Sequence, residues 1–217
     1  MANVLLGVTG SVAAIRVPAL LASLTASGHS VRIVATRAAT HFFDPAAVAG
    51  IGGARDTAVV SLDEDEWPAG GYARGDAVLH IELRKWADAF LIAPLDANTL
   101  AKLAVGLCDN ALTCVWRAWD WSKPVALAPA MNSQMWLHPF TRKHLRSLAA
   151  DFGAGHIPGH FDEGTLIRQI NDRAKYLRIV APISKVLACG DAGIGGMAEV
   201  EKVVEALSSL LAGVKPT

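Results

Sequence analysis

The stretch from His80 to Asn132, HIELRKWADAFLIAPLDANTLAKLAVGLCDNALTCVWRAWDWSKPVALAPAMN, decides how this chain folds. Two apolar runs within it, Ala89 to Pro94 and Pro124 to Pro129, have the length and composition of buried strands. Each is followed by a polar cluster: Asp96, Ala97, Asn98 and Thr99 after the first, Asn132, Ser133 and Gln134 after the second. In a parallel α/β sheet the loops beyond the strand C-termini form the ligand crevice. Polar groups after two such strands should therefore converge on one pocket.

The same alternation extends in both directions. Asn3 to Val8 reads as a strand, Thr9-Gly10-Ser11 as a turn, and Val12, Leu20, Leu21 and Leu24 as one face of a helix that Gly28 ends. Val31 to Ala35 is the next strand, which completes a βαβ unit and makes the sheet parallel. A short helix is expected around Ala38 to Phe43, with glycine-rich loops at Gly50 to Gly53 and Pro68 to Gly75. Helices are expected at Ala97 to Val105, Asp109 to Trp119, Pro139 to Ala150 and Glu199 to Leu211. The polar segment 153–176 reads as an inserted surface excursion with a short helix at Gly164 to Asp172. Leu177 to Ala181 then returns to the sheet. The fold class is α/β, a Rossmann-like or flavodoxin-like doubly wound parallel sheet, in a single domain spanning residues 1–217.

With 217 residues, 52% hydrophobic and 18% charged, the chain can bury a large core and still leave apolar surface for a subunit contact. Twenty basic residues balance twenty acidic ones, so no basic stripe is available for nucleic acid or an anionic membrane. The run Val4 to Val8 is too short for a signal segment or a membrane span, and the tail Leu210 to Thr217 carries no lipidation motif. Cys108, Cys114 and Cys189 lack zinc spacing, and an odd count argues against a disulfide framework. Reduced thiols in a cytoplasmic protein are expected.

Several residue groups could carry chemistry, and each has a plainer reading beside it. Gly10 and Ser11 follow a strand and open a helix, where backbone N–H groups and a hydroxyl can hold a phosphate. The pattern is neither a full dinucleotide fingerprint nor a Walker A loop, so a single phosphate fits it better; a tight turn with a serine cap fits equally. Thr36 is either a ribose-contacting hydroxyl or a β-branched strand end. The cluster Asp96 to Thr99 exceeds what one helix cap requires. His80 stands between Leu79 and Ile81 and reads as either structural or catalytic. Asn132 is either a carboxylate donor or a cap. His156 and His160 are split by Pro158 and Gly159, which prevents the helix that would align both rings, so no metal site is expected. Cys189 lies among glycines at 190, 193, 195 and 196, which makes 185–199 a candidate flap; an ordinary loop cysteine is the alternative.

Taken in order, these segments resemble the phosphopantothenoylcysteine decarboxylase family, flavin-containing cysteine decarboxylases of coenzyme A synthesis. Gly10-Ser11-Val12 resembles the family's FMN-phosphate turn. Pro94 to Thr99, running into Gly106 to Thr113, resembles its P-x-x-x-N and G-x-x-D-N-L-L-T signature. Pro129 to Trp136 resembles P-x-M-N-x-x-M-W, and Leu187 to Glu199 resembles the substrate flap. His80 matches the active-site histidine. Ala111 departs from the usual leucine, and Ala38 stands where a small hydroxyl residue is frequent.

The resemblance implies FMN as cofactor, contacted by Gly10, Ser11, Val12, Thr36, Arg37, Ala38, Asp96, Ala97, Asn98, Thr99 and Ala130. It implies 4'-phosphopantothenoylcysteine as substrate, contacted by Asn132, Met135, Val186, Ala188 and Met197. His80 would be the base or proton relay, Asn132 would orient the substrate carboxylate, and Cys189 would supply the last proton. The chemistry needs an electron sink: oxidising the CH2–SH group to a thioaldehyde lets CO2 leave, and the enethiol is then reduced. The resemblance further implies a homo-oligomer, a trimer, with Arg84 and the region Trp116 to Trp121 facing a neighbour. Two rivals remain at this point: a regulatory subunit of a protein phosphatase, and a related flavin enzyme that prenylates FMN or acts on a peptide's C-terminal cysteine.

Overall fold

The computed structural model describes residues 1–49, 51, 60–66, 73–186 and 192–213. Along the chain the elements are β1 (Asn3–Val8), α1 (Val17–Ala26), β2 (Ser30–Ala35), α2 (Pro45–Ala49), β3 (Val60–Ser61), α3 (Leu79–Trp86), β4 (Ala89–Leu95) and α4 (Ala97–Val105). They continue with α5 (Ala111–Arg117), β5 (Val125–Pro129), α6 (Ser133–Leu137), α7 (Pro139–Asp151), α8 (Glu163–Arg173), β6 (Leu177–Ile179), β7 (Ile183–Val186), β8 (Ala192–Gly196) and α9 (Val200–Gly213). Among the described residues, three 3₁₀ turns, Val12–Arg16, Arg37–His41 and Asp63–Glu66, sit in the connections.

Among the described residues, six strands form one sheet in the order β3-β2-β1-β4-β5-β6, every pairing parallel. This is the doubly wound order, whose direction reverses between β1 and β4 and opens a crevice at their C-terminal ends. β7 and β8 form a separate antiparallel hairpin.

Strand period decides the layers. On β4, Phe90 and Ile92 face one side with Val125 and Leu127 of β5, where α3, α4, α5, α7 and α8 pack. Ala89, Leu91, Ala93, Ala126 and Ala128 face the other side, against α1 and α9. The alanines leave room for Val203, Val204 and Leu207 of α9. Large residues on one face and small ones on the other explain why the runs read as continuously apolar.

Helix ends follow local chemistry. Asp96 caps α4 by accepting the Thr99 amide at 2.6 Å, and Gly106 ends it at φ +76. Asn110 and Thr113 form a reciprocal capping box that starts α5 at Ala111, two residues later than expected, and α5 ends at Arg117. The short helix expected at 38–43 is instead the 3₁₀ turn Arg37–His41 followed by α2.

The segment 153–176, read from sequence as a surface excursion, is built into the core. Ile157 and, on α8, Leu166, Ile167 and Ile170 are buried against the sheet. Asn171 fastens α8 to β6, donating to the Ile179 carbonyl at 2.9 Å and accepting its amide at 2.8 Å. Its polarity belongs to the outer face of a crossover helix. The expected glycine-rich loops at 50–53 and 68–75 fall largely outside the described residues.

Candidate active site

The C-terminal ends of β1, β4 and β5 are stitched together. Thr9, fully buried, donates its hydroxyl to the Pro94 carbonyl at 2.8 Å and accepts the Asp96 amide at 2.7 Å. The Ala130 amide donates to Leu95 O at 2.9 Å, and the Met131 amide to Gly195 O at 2.9 Å. These links hold the first turn, the Asp96 cluster, the Asn132 loop and the hairpin around one crevice.

That crevice is a cavity of about 630 Å³, within the range of cofactor and ligand sites. Gly10, Ser11 and Val12 line it together with Asp96, Ala97 and Asn98, then Ala130, Asn132 and Met135, then Val186 and Met197. The two polar clusters after β4 and β5 thus meet in one pocket. Val12, Met135 and Val186 are exposed apolar side chains on its wall, at 41%, 52% and 71% of full exposure. Such a wall suits a large, flat, partly apolar ligand or a contacting subunit.

The phosphate turn is tightly built. A side chain at Gly10 would come within 2.6 Å of the Ala38 Cβ and 3.4 Å of an Asp96 carboxylate oxygen, so backbone lies open where bulk cannot. Ser11 caps the 3₁₀ turn that follows, its Oγ accepting the Ala13 amide at 3.3 Å. Thr36, Arg37, Ala38 and Thr99 lie outside the cavity wall. Thr36 directly follows β2 with its hydroxyl buried and without a partner, a polar atom that a bound ligand would satisfy. Arg37 is exposed and pairs with Glu64 at 2.8 Å. The Thr99 amide is taken by the α4 cap.

Asn132 caps α6, its carbonyl oxygen accepting the Gln134 amide at 2.8 Å. The cap reading and the binding reading are therefore compatible: the bond fixes the side chain on the cavity wall. His80, in the first turn of α3, does not line the cavity; its Nδ1 meets the Glu66 carboxylate, and its amide donates to the other Glu66 oxygen at 3.2 Å. Ala188 and Cys189 lie outside the described residues, between β7 and β8. Trp116 and Trp119 do not face outward as expected. They are buried, with indole N–H groups donating to Leu103 O at 3.2 Å and Lys123 O at 3.4 Å. Within that region Trp121 is exposed, at 41%.

Sequence reasoning missed two cations on the wall, Arg16 and Lys185. Arg16 pairs with Glu199 and donates to Ala198 O at 3.4 Å. The hydrogen bond and charge of Arg16, with a smaller contribution from Lys185, hold the Glu199 carboxyl below its ordinary range. Glu66 was missed as well. Nothing in a run of four acidic residues, Asp63 to Glu66, marks which one turns inward. Among the described residues no cluster of metal-ligating side chains occurs, and no helix is long and apolar enough to cross a membrane.

A family model described as Flavoprotein matches residues 1–212. The chain belongs to the flavoprotein family. A mouse phosphopantothenoylcysteine decarboxylase is 44% identical over 210 residues, covering 96% of this flavoprotein and 87% of the mouse protein. A solved cysteine-to-serine variant of PPC decarboxylase, complexed with pantothenoylaminoethenethiol, superposes with a TM-score of 0.78 at 40% identity, covering 97% and 98% of the two chains. The FMN binding protein AtHal3 superposes at 0.75, also 40% identical, covering 99% of each chain. All three likenesses extend over the crevice and the hairpin of this flavoprotein.

Proposed function

We propose that this flavoprotein is an FMN-dependent phosphopantothenoylcysteine decarboxylase, which converts 4'-phosphopantothenoylcysteine to 4'-phosphopantetheine in coenzyme A synthesis. The observation that carries the reading is the convergence of the Gly10-Ser11 turn, the Asp96 to Asn98 cluster and Asn132 on one cavity. Likeness over nearly the full chain to a mouse enzyme of that name, and to a variant holding an aminoethenethiol, supports the same substrate.

The residues present fit a flavin mononucleotide. The crowded Gly10 turn can present backbone N–H groups to one phosphate. Thr36 holds a buried hydroxyl without a partner, and the wall is apolar at Val12 and Met135. Bound FMN supplies a two-electron sink and source, so that cysteinyl oxidation, CO2 loss and re-reduction leave no net redox change.

The chain's own groups do the rest. Asn132, held by the Gln134 amide, directs its side chain at the substrate carboxylate. Met135, Val186 and Met197 of the cavity wall pack along the pantothenoyl arm, and Ala188 is assigned to the same ligand. His80 takes or relays the proton removed with the cysteinyl hydrogen, and Cys189 returns one to the enethiol carbon. Ala38, set against Gly10, backs the cofactor turn, and Arg37 and Thr99 are assigned to the same cofactor.

A homotrimer fits this arrangement. His80 stands off the single-chain cavity wall, and Val105, Leu107, Trp121 and Phe140 leave apolar surface exposed. A neighbouring copy would bring catalytic side chains to the crevice and cover that surface. A cytoplasmic location belongs to the same reading, and the free thiols of Cys108 and Cys114 support it. A test is CO2 release by the purified protein from phosphopantothenoylcysteine set against release from a peptide ending in cysteine. Release from the first alone supports the reading, and release from the peptide alone removes it.

A further inference from the structure

Glu66 is the one carboxylate of the acidic turn Asp63–Glu66 that points into the protein. Its side chain is 2% exposed, while that of His80 is 21% exposed. One Glu66 oxygen meets His80 Nδ1 and the other accepts the His80 amide at 3.2 Å. An ionised carboxylate is an acceptor only, so a charged Glu66 requires the proton on the nitrogen facing it. The second ring nitrogen, Nε2, is then left to work outside the pair. In the same way, a buried carboxylate on the Nδ1–H side of a histidine fixes its tautomer and direction in hydrolytic triads.

The turn is itself held at several points. Asp63 accepts the Arg37 amide at 3.2 Å with one oxygen and the Ala111 amide at 3.3 Å with the other. Asp65 accepts the Leu62 amide at 2.8 Å. The turn therefore bridges the segment after β2, read above as a cofactor support, and the first residue of α5. Four consecutive acids would read as a solvated face. Here backbone amides fasten two of them, and the last is sealed beneath the imidazole.

We infer that Glu66 is the positioning residue for His80: it keeps the proton on Nδ1, aims the ring, and presents Nε2 to the substrate. This rests on the catalytic reading of His80 given above. The simpler role, an acceptor for an amide in the first turn of α3, would also be served by glutamine at this position. Glutamine keeps the size and an acceptor oxygen but can equally offer N–H to Nδ1, so it no longer selects the tautomer.

Two measurements on the FMN-loaded protein test this. In the wild type labelled with 15N-histidine, the NMR spectrum should show His80 with Nδ1 protonated. A bare Nδ1 overturns the inference whether or not any variant folds. In E66Q, kcat should fall by about 10–100-fold or more, the lower range being that for carboxylates that orient metal-bound histidines. KM, flavin content and Tm should stay at wild-type values, and the Nε2–H tautomer of His80 should gain. Unchanged kcat overturns the inference, as does loss of flavin or of folding, which would make Glu66 a structural residue. H80N separates the two levels. If H80N turns over normally, the catalytic reading of His80 fails while the Nδ1 result still stands. If H80N is inactive and E66Q is normal, only the positioning role fails.

Discussion

Met131 and Gly195 bind the hairpin to the loop that presents Asn132. The Met131 amide donates to the Gly195 carbonyl at 2.9 Å, and Gly195 has φ +140. A side chain at Gly195 would overlap the Met131 carbonyl oxygen. The hairpin can lie over the crevice because this position carries no Cβ. G195A should lift the hairpin at a cost of about 1–3 kcal/mol, the usual range for overpacking. If that cost falls on substrate binding, KM rises about 5- to 150-fold, with flavin content unchanged. Steady-state kinetics beside a flavin absorbance spectrum checks this, and an unchanged KM removes the hairpin from the substrate site.

H80N should bind flavin and fold normally but lose turnover by roughly 10²–10⁴-fold, the worth of a positioned acid–base group. N132D should also be inactive, because it sets a negative charge against the substrate carboxylate. Flavin spectra and thermal melts establish that both proteins are intact. Near-normal rates in H80N would leave the imidazole as a packing group, and normal rates in N132D would move the carboxylate site elsewhere.

C189S isolates the last step. A serine hydroxyl is far less acidic than a thiol with an ordinary pKa of ~8.5, so the final proton should fail to arrive. The variant should release CO2, bleach the flavin and accumulate a species two hydrogens lighter than the normal product. Full-rate formation of ordinary product would make the thiol a bystander. Absence of CO2 would assign the flap an earlier role, in closing the site around the substrate.

The strand runs, the βαβ start and the meeting of two polar clusters were legible in the sequence because they depend on local periodicity and on where parallel strands end. Gly28 was legible for a similar reason, since it stands at positive φ just beyond α1. What was not legible depends on contacts distant in sequence. Segment 153–176 looks polar because α8 shows its outer face to solvent, while Leu166 and Ile170 reach the core. Trp116 and Trp119 pack inward, their indoles meeting Leu103 O and Lys123 O, and no local pattern marks that direction. Glu66 lies fourteen positions from His80, and only the folded turn brings them together.

Cys114 offers a separate check on that turn. Burial first, then the charge of Glu66, pushes its thiol up to about 11. A raised thiol pKa means that the reactive thiolate forms only as the pH climbs toward that value. Near neutral pH, alkylation followed by peptide mass mapping should therefore label exposed Cys108 well before Cys114. E66Q should speed Cys114 labelling without altering Cys108. Equal rates for the two thiols in the wild type would show that Cys114 is not held as described.

The central claim is the reaction itself, and the mass spectrum of one reaction mixture tests it most directly. Purified protein loaded with FMN and given 4'-phosphopantothenoylcysteine, with no added reductant, should yield 4'-phosphopantetheine, lighter than the substrate by one CO2 and otherwise unchanged. Recovery of intact substrate from a flavin-loaded, folded protein would contradict the account.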